Sequence, residues 1–154
     1  MQKPDVIAAI REVLQIELDA MARANVLARD EATTNKPENK YDTRALEASY
    51  LASAQVDRMV DLKQLIGFYE VLVPTELGAV QVGALVQLED DRGSRWVFIA
   101  PHGGGKRVVV GAEEVTVLTP RSPLGRALAG LGVDDEATWE TPGGQRTLEI
   151  VSVS

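Results

Sequence analysis

Residues 45–69 read ALEASYLASAQVDRMVDLKQLIGFY. Ala45, Ala48, Ala52, Gln55, Met59, Leu62, Ile66 and Tyr69 follow one another at alternating steps of three and four, the spacing of a coiled-coil seam. Upstream, Ile7, Ile10, Leu14, Leu18, Met21 and Ala28 keep the same rhythm, with Asn25 in the one gap. Between the two series lies EATTNKPENKYD, residues 31–42. Pro37 would break a helix interior but suits a first turn. Asn35 followed by Glu38 reads as an N-cap with a capping-box acid. Two amphipathic helices joined by a polar turn predict an antiparallel hairpin over residues 1–73. Each arm of about 26 residues would project roughly 40 Å. Ala45, Ala48 and Ala52 bury little area, so the end near the turn is expected to fray before the base.

Outward from there the chain changes character. Residues 1–73 hold one glycine and two prolines, and the remaining 12 glycines and 5 prolines fall in residues 74–154. Helix interiors avoid both types and turn-rich β structure uses them. Five stretches read as strands: 80–90, 94–100, 107–119, 137–142 and 146–154. DDRGS, PHGGGK and TPGGQ separate them, the last suited to a tight hairpin. SPLGRALAGL (122–131) reads as one short helix with Ser122 as N-cap, Pro123 at its first position and Gly130 and Gly132 ending it. The expectation is an α+β chain: an N-terminal antiparallel coiled-coil hairpin, then a small curved antiparallel sheet domain over 74–154 carrying one short helix.

Composition narrows the function classes. The 154 residues carry a formal net charge of −7, which argues against coating nucleic acid by bulk electrostatics. There is no cysteine, so disulfides, thiolate zinc sites and a cysteine nucleophile are excluded. His102 is the one histidine, which excludes a multi-histidine metal site and argues against a Ser-His-Asp triad. No apolar run approaches the ~20 residues of a membrane helix, and the first residues lack a signal peptide's apolar block. The expected setting is the cytoplasm, with no membrane partner and no independent nucleic-acid binding.

The tail SPLGRALAGLGVDDEATWETPGGQRTLEIVSV orders Ser122, Pro123, Arg126, Leu128, Thr141, Pro142, Gly143 and Gly144 in a pattern that closely resembles the C-terminal domain of the bacterial transcript cleavage factors GreA and GreB. GALVQLED and EEVTVLTP upstream match in position. The resemblance covers residues 80–154, and the hairpin by architecture with a Glu-Asn pair at its turn. It implies an FKBP-like sheet domain without isomerase activity, and binding to RNA polymerase core near its secondary channel. Arg121, Ser122, Pro123 and Leu124 would be the polymerase-binding residues. The hairpin would enter the channel and present acids that help the polymerase hold a second Mg²⁺ for hydrolysis of backtracked RNA. The chain would then be an accessory factor rather than an enzyme, with no cofactor of its own.

At the turn the chain departs from that pattern. GreA-like turns read Asp-x-x-Glu-Asn followed by an acid and a tyrosine; here the order is Asn35, Lys36, Pro37, Glu38, Asn39, Lys40, Tyr41, Asp42. Glu38 and Asn39 match, Asn35 replaces the first aspartate, and Tyr41 and Asp42 stand in inverted order. The residues implied for the site are Glu38, Asn39, Asp42 and Asn35, with Glu38 and Asp42 as shared Mg²⁺ ligands. Asn35, Lys36 and Lys40 weaken that site, so the alternative is a regulator that occupies the channel, competes with cleavage factors and does not promote cleavage. A seam of this kind also lets two copies pair, which keeps a homodimer open.

Each residue also has a plain structural reading. Glu38 serves as a capping acid, Asp30, Glu31 and Asp42 as solvated charges, and Ser122 and Pro123 as a helix start. Gln55 reads as a register device, and Trp96 and Trp139 as core-facing strand residues. The Gly103–Lys106 run lacks the spacing of a phosphate loop and the Ser/Thr after its lysine. Seven aromatics in the whole chain, three of them in the hairpin, are too few for a prolyl isomerase pocket.

Overall fold

The structure, a computed structural model, describes residues 1–34 and 43–154, excepting the side chains of 31–34, 43–46 and 48–50. The described residues form two compact units: Arg11–Val71, and Leu72–Ser154 together with Met1–Ile10. Helix α1 spans Lys3–Thr34 and helix α2 spans Thr43–Val71. Pro4 and Asp5 sit in the first turn of α1, where a missing N–H costs nothing and a negative charge suits the helix dipole. Pro74 follows the end of α2 by three residues, where the helix cannot resume.

In the helical unit Arg11, near the start of α1, lies 3.9 Å from Glu70, near the end of α2, so the helices run antiparallel. Leu14, Leu62, Leu65, Ile66 and Tyr69 are buried. Leu18, Met21, Asn25 and Met59 are half-buried, while Ala28, Ala52 and Gln55 are exposed. The predicted seam is therefore the covered side at this end of the pair, and cover falls away along both helices. Gln55 is on the surface instead of fixing a register. Leu65, off the predicted spacing, widens the buried stripe beside Ile66.

The other unit is a six-stranded sheet. Its strands are β1 (Leu85–Asp90), β2 (Gly93–Ile99), β3 (Arg107–Val110), β4 (Glu113–Leu118), β5 (Glu136–Thr141) and β6 (Gly144–Val153), in the order β3-β4-β2-β1-β6-β5. Three sequence expectations need correction. The stretch 107–119 is two strands, because Gly111 (φ 65°) turns the chain back on itself. The sheet is also not wholly antiparallel: β3 takes the edge and β4 returns into the gap beside β2, which makes β2 and β4 parallel. Of residues 80–90 only Leu85–Asp90 is strand, since Gly83 (φ 93°) and the turn closed by Ala84 N–H to Gln81 C=O precede it.

Both faces of the sheet are covered. Val86, Leu88, Val97, Ile99, Leu148 and Ile150 share one face with Leu128 of the short helix α3 (Pro123–Leu128). The opposite phase holds Leu85, Phe98, Val108, Val115 and Val117, also buried. Each fully buried side chain of this kind contributes about 1.5–3 kcal/mol. Within the same unit Val6, Ile7 and Ile10 of α1 are buried, and the Lys3 ammonium donates to the Thr75 carbonyl at 2.6 Å. Burial lowers the pKa of Lys3, with Glu76 acting in the opposite direction.

Helix α3 begins as its sequence requires. Ser122 is extended (φ −64°, ψ 155°); its hydroxyl accepts from the Gly125 N–H at 3.0 Å and donates to the Thr119 carbonyl at 2.8 Å. Gly130 (φ 78°) follows the last turn. At Gly125 the chain passes close to itself, because a Cβ there would stand 2.0 Å from the Thr119 carbonyl oxygen. Gly125→Ala must push the cap apart and is expected to cost about 2–3 kcal/mol in urea unfolding. Gly78→Ala, with no atom within 4 Å of its Cβ, should change stability by less than about 0.5 kcal/mol. Equal effects at both positions would overturn the close-packing account.

Candidate functional site

Three regions carry polar chemistry. The first, implied by the sequence, is Asn35, Glu38, Asn39 and Asp42; all four lie outside the described residues, as do Pro37 and Tyr41. Asp30 is described and exposed. Among the described residues no group of three or more acidic or histidine side chains could hold a metal ion.

The second region is the start of α3. Arg121 and Pro123 are exposed, while Ser122 and Leu124 are half-buried, with Leu124 packed against the core cluster. The Ser122 hydroxyl proton is committed to the Thr119 carbonyl, and its oxygen accepts from the Gly125 N–H. What the start of α3 offers a partner is thus the Arg121 side chain, the Pro123 ring and the open part of Leu124, held in place by that cap. The strand directions put this cap at the end of the sheet where β2, β4 and β6 finish.

The third region was not singled out by sequence reading and lies at the opposite end, where the β1–β2 and β5–β6 turns come side by side. The Asp90 side chain is 4% exposed and receives three donors. They are the Arg92 backbone N–H at 2.9 Å, the Arg95 guanidinium at 2.8 Å and the Arg146 guanidinium. Arg146 also lies over the Trp139 ring, 5.7 Å from its centre. Burial pushes the Asp90 carboxyl up, but the Arg92 N–H and the two arginines outweigh it and hold the group below its ordinary value. A signal was present in the sequence. Val86, Leu88 and Asp90 share one strand phase, so the carboxylate falls on the buried face and requires a counter-charge.

Comparison with known proteins bears on the family. Residues 105–154 match the family model described as transcription elongation factor, GreA/GreB, C-terminal. Transcription elongation factor GreA of Methylobacterium nodulans is 33% identical over 146 residues, covering 91% of this chain and 84% of that protein. The chain belongs to the GreA/GreB family. GreA of Ruegeria pomeroyi is 27% identical over 150 residues, 95% of this chain and 88% of its own length. Among solved structures, GreA factor homolog 1 of Thermus thermophilus aligns over 94% of each chain at 21% identity, with a TM-score of 0.36. The GreA/GreB membership makes the chain a transcription elongation factor of that type, built from two long helices followed by a mostly antiparallel sheet. Among the described residues no helix is long and apolar enough to cross a membrane.

The Asp90 cluster yields a pH-dependent expectation. Its folded carboxyl titrates lower than the unfolded one, so the folded chain binds fewer protons in acid. The cluster's contribution is therefore present above the ordinary value of 3.8 and is lost as pH falls through the lowered folded value. Asp90→Asn should cost about 1–3 kcal/mol at neutral pH, and the gap to the parent should close as pH drops below 3.8. Urea unfolding across that range measures both; a gap independent of pH would remove the carboxylate's role.

Proposed function

We propose that this GreA/GreB-family chain binds RNA polymerase core and inserts its two-helix arm into the secondary channel to act on backtracked or paused complexes. The observation that carries the reading is family membership across nearly the whole chain, joined to a pair of antiparallel helices whose cover thins away from Arg11 and Glu70. A narrow pore admits a two-helix rod, whose combined width is about two helix diameters, more readily than a globule. The sheet unit, through Arg121, Pro123 and Leu124, grips the channel rim.

The segment Asn35–Asp42 joins the helices and carries the chemistry of this reading. Glu38 and Asp42 supply carboxylate oxygens, and Asn35 and Asn39 supply amide carbonyls. This hard-oxygen donor set suits Mg²⁺. A second Mg²⁺ bound there together with the polymerase would stabilise charge on the scissile phosphate. The chain itself orients that ion and performs no hydrolysis, so it acts as an accessory factor. Lys36 and Lys40 lower the local negative charge, and Asn35 stands where the family pattern has aspartate. These residues favour the second reading, a channel-occupying regulator that displaces cleavage factors without promoting cleavage.

One assay separates the readings. Purified chain is added to a stalled, backtracked polymerase complex, alone and against a known cleavage factor. The first reading expects transcript shortening that falls at least about tenfold in Glu38→Ala and Asp42→Ala and rises in Asn35→Asp. The second expects no shortening but dose-dependent suppression of the competitor. Failure to bind core polymerase, or cleavage indifferent to Glu38 and Asp42, would overturn the site assignment.

A further inference from the structure

The turns that carry the Asp90 cluster also frame a cleft of about 520 Å³, lined by Asp91, Arg92, Thr141, Gln145, Arg146 and Thr147. It lies wholly within the sheet unit. Its size suits a small ligand or the side chains of a short segment. Its donors are unevenly committed. The Thr141 hydroxyl donates to the Gly144 carbonyl, and that of Thr147 is paired with Thr138. The Arg92 guanidinium has no ion-pair partner among the described residues, though its backbone N–H is held by Asp90. Gln145 is exposed at the turn.

The charges around the cleft do not cancel. Arg95 and Arg146 share the single carboxylate of Asp90, which leaves one positive charge over. Arg92 adds a second and Asp91 removes one. The result is a local positive centre on a chain of net charge −7. Arg146 is already fixed by Asp90 and by the Trp139 ring, so little rotamer entropy is left to lose when its free edge meets an acceptor.

We propose that this cleft receives the carboxylate side chain of a short acidic segment on a protein partner, held by Arg92 and the free edge of Arg146, with Gln145 at its rim. The surroundings select a compact acid over a polyanion. Glu89, Glu149 and Glu136 stand directly opposite one another across β1, β6 and β5, and Glu140 faces Gln145 at the turn. These acids share the strand phase opposite to Asp90 and Arg146, and the chain's net charge of −7 opposes a polyanion in general, whereas one or two carboxylates among neutral residues need only the centre itself. The inference does not rest on the polymerase reading, since it concerns the opposite end of the sheet from the α3 cap.

The test is an NMR titration of the ¹⁵N-labelled 154-residue chain with the capped peptide Gly-Ala-Glu-Ala-Gly. Parallel titrations use the neutral analogue Gly-Ala-Gln-Ala-Gly, a single-stranded oligonucleotide and inorganic phosphate. The expected result is saturable shifts confined to the backbone amides of Arg92, Gln145 and Arg146 and the Trp139 indole N–H. These should weaken with added salt and be absent with the neutral peptide. Arg92→Ala keeps the backbone N–H on Asp90 and so leaves the fold intact; it should weaken peptide binding about tenfold. Gln145→Ala, also outside the Asp90 cluster, should weaken it less. No saturable shift, equal shifts with the neutral peptide, or an oligonucleotide or phosphate binding the same residues as tightly would each overturn the proposal.

Discussion

A strand shows its side chains to alternate faces, and in β1 that alternation carries a carboxylate into the interior. Val86 and Leu88 bury on the same side, and Asp90, next in phase, cannot turn outward without turning them with it. The cost of burying that charge is met by donors from three positions: the backbone at Arg92, strand β2 at Arg95 and strand β6 at Arg146. Because the partners come from separate strands, satisfying one side chain pins the β1–β2 and β5–β6 turns side by side. Arg146, held this way, also lies over the Trp139 ring and lines the cleft at that end.

The helical unit works under the opposite logic. Its apolar positions satisfy one another near Arg11 and Glu70, and farther along they are too small or too exposed to do so. Leu27 and Leu51 are 65% and 66% exposed, yet both lie on well-formed helix. Such helices hold by intrahelical hydrogen bonds and shallow pairing, so their outer turns have little burial to lose on re-packing.

Much of this was legible in the sequence. The three-four spacing located both helices and the covered stripe. Ser122, Pro123 and Gly130 placed a short helix and its cap within 122–131, of which Pro123–Leu128 is helical, because caps and breakers act locally. Thr141 to Gly144 closed a hairpin as TPGGQ implied. What escaped was non-local. The parallel pairing of β2 with β4 depends on which strand takes the edge, and strand propensity says nothing about that. Gly125 reads as an ordinary residue of a short helix until the Thr119 carbonyl is placed beside it. Asp90 and Arg146 lie 56 positions apart, so their pairing could be inferred only by asking which charge falls in a buried phase. Of the candidate sites, the α3 start was readable because its motif is contiguous; the cleft was not, because two distant turns build it.

The placement of β6 between β1 and β5 bears on how the chain is made. A ribosome delivers β1, β2, β3 and β4 well before Gly144–Val153 exists, yet β1 has one edge open until that late strand arrives to pair with it. Until then the Asp90 carboxylate has no Arg146, and the apolar face of β1 has no Leu148 or Ile150 against it. Loops this long close slowly. Nascent chains halted before β6 should therefore present an open sheet edge to chaperones, and the unit should close only once its sixth strand is free to enter.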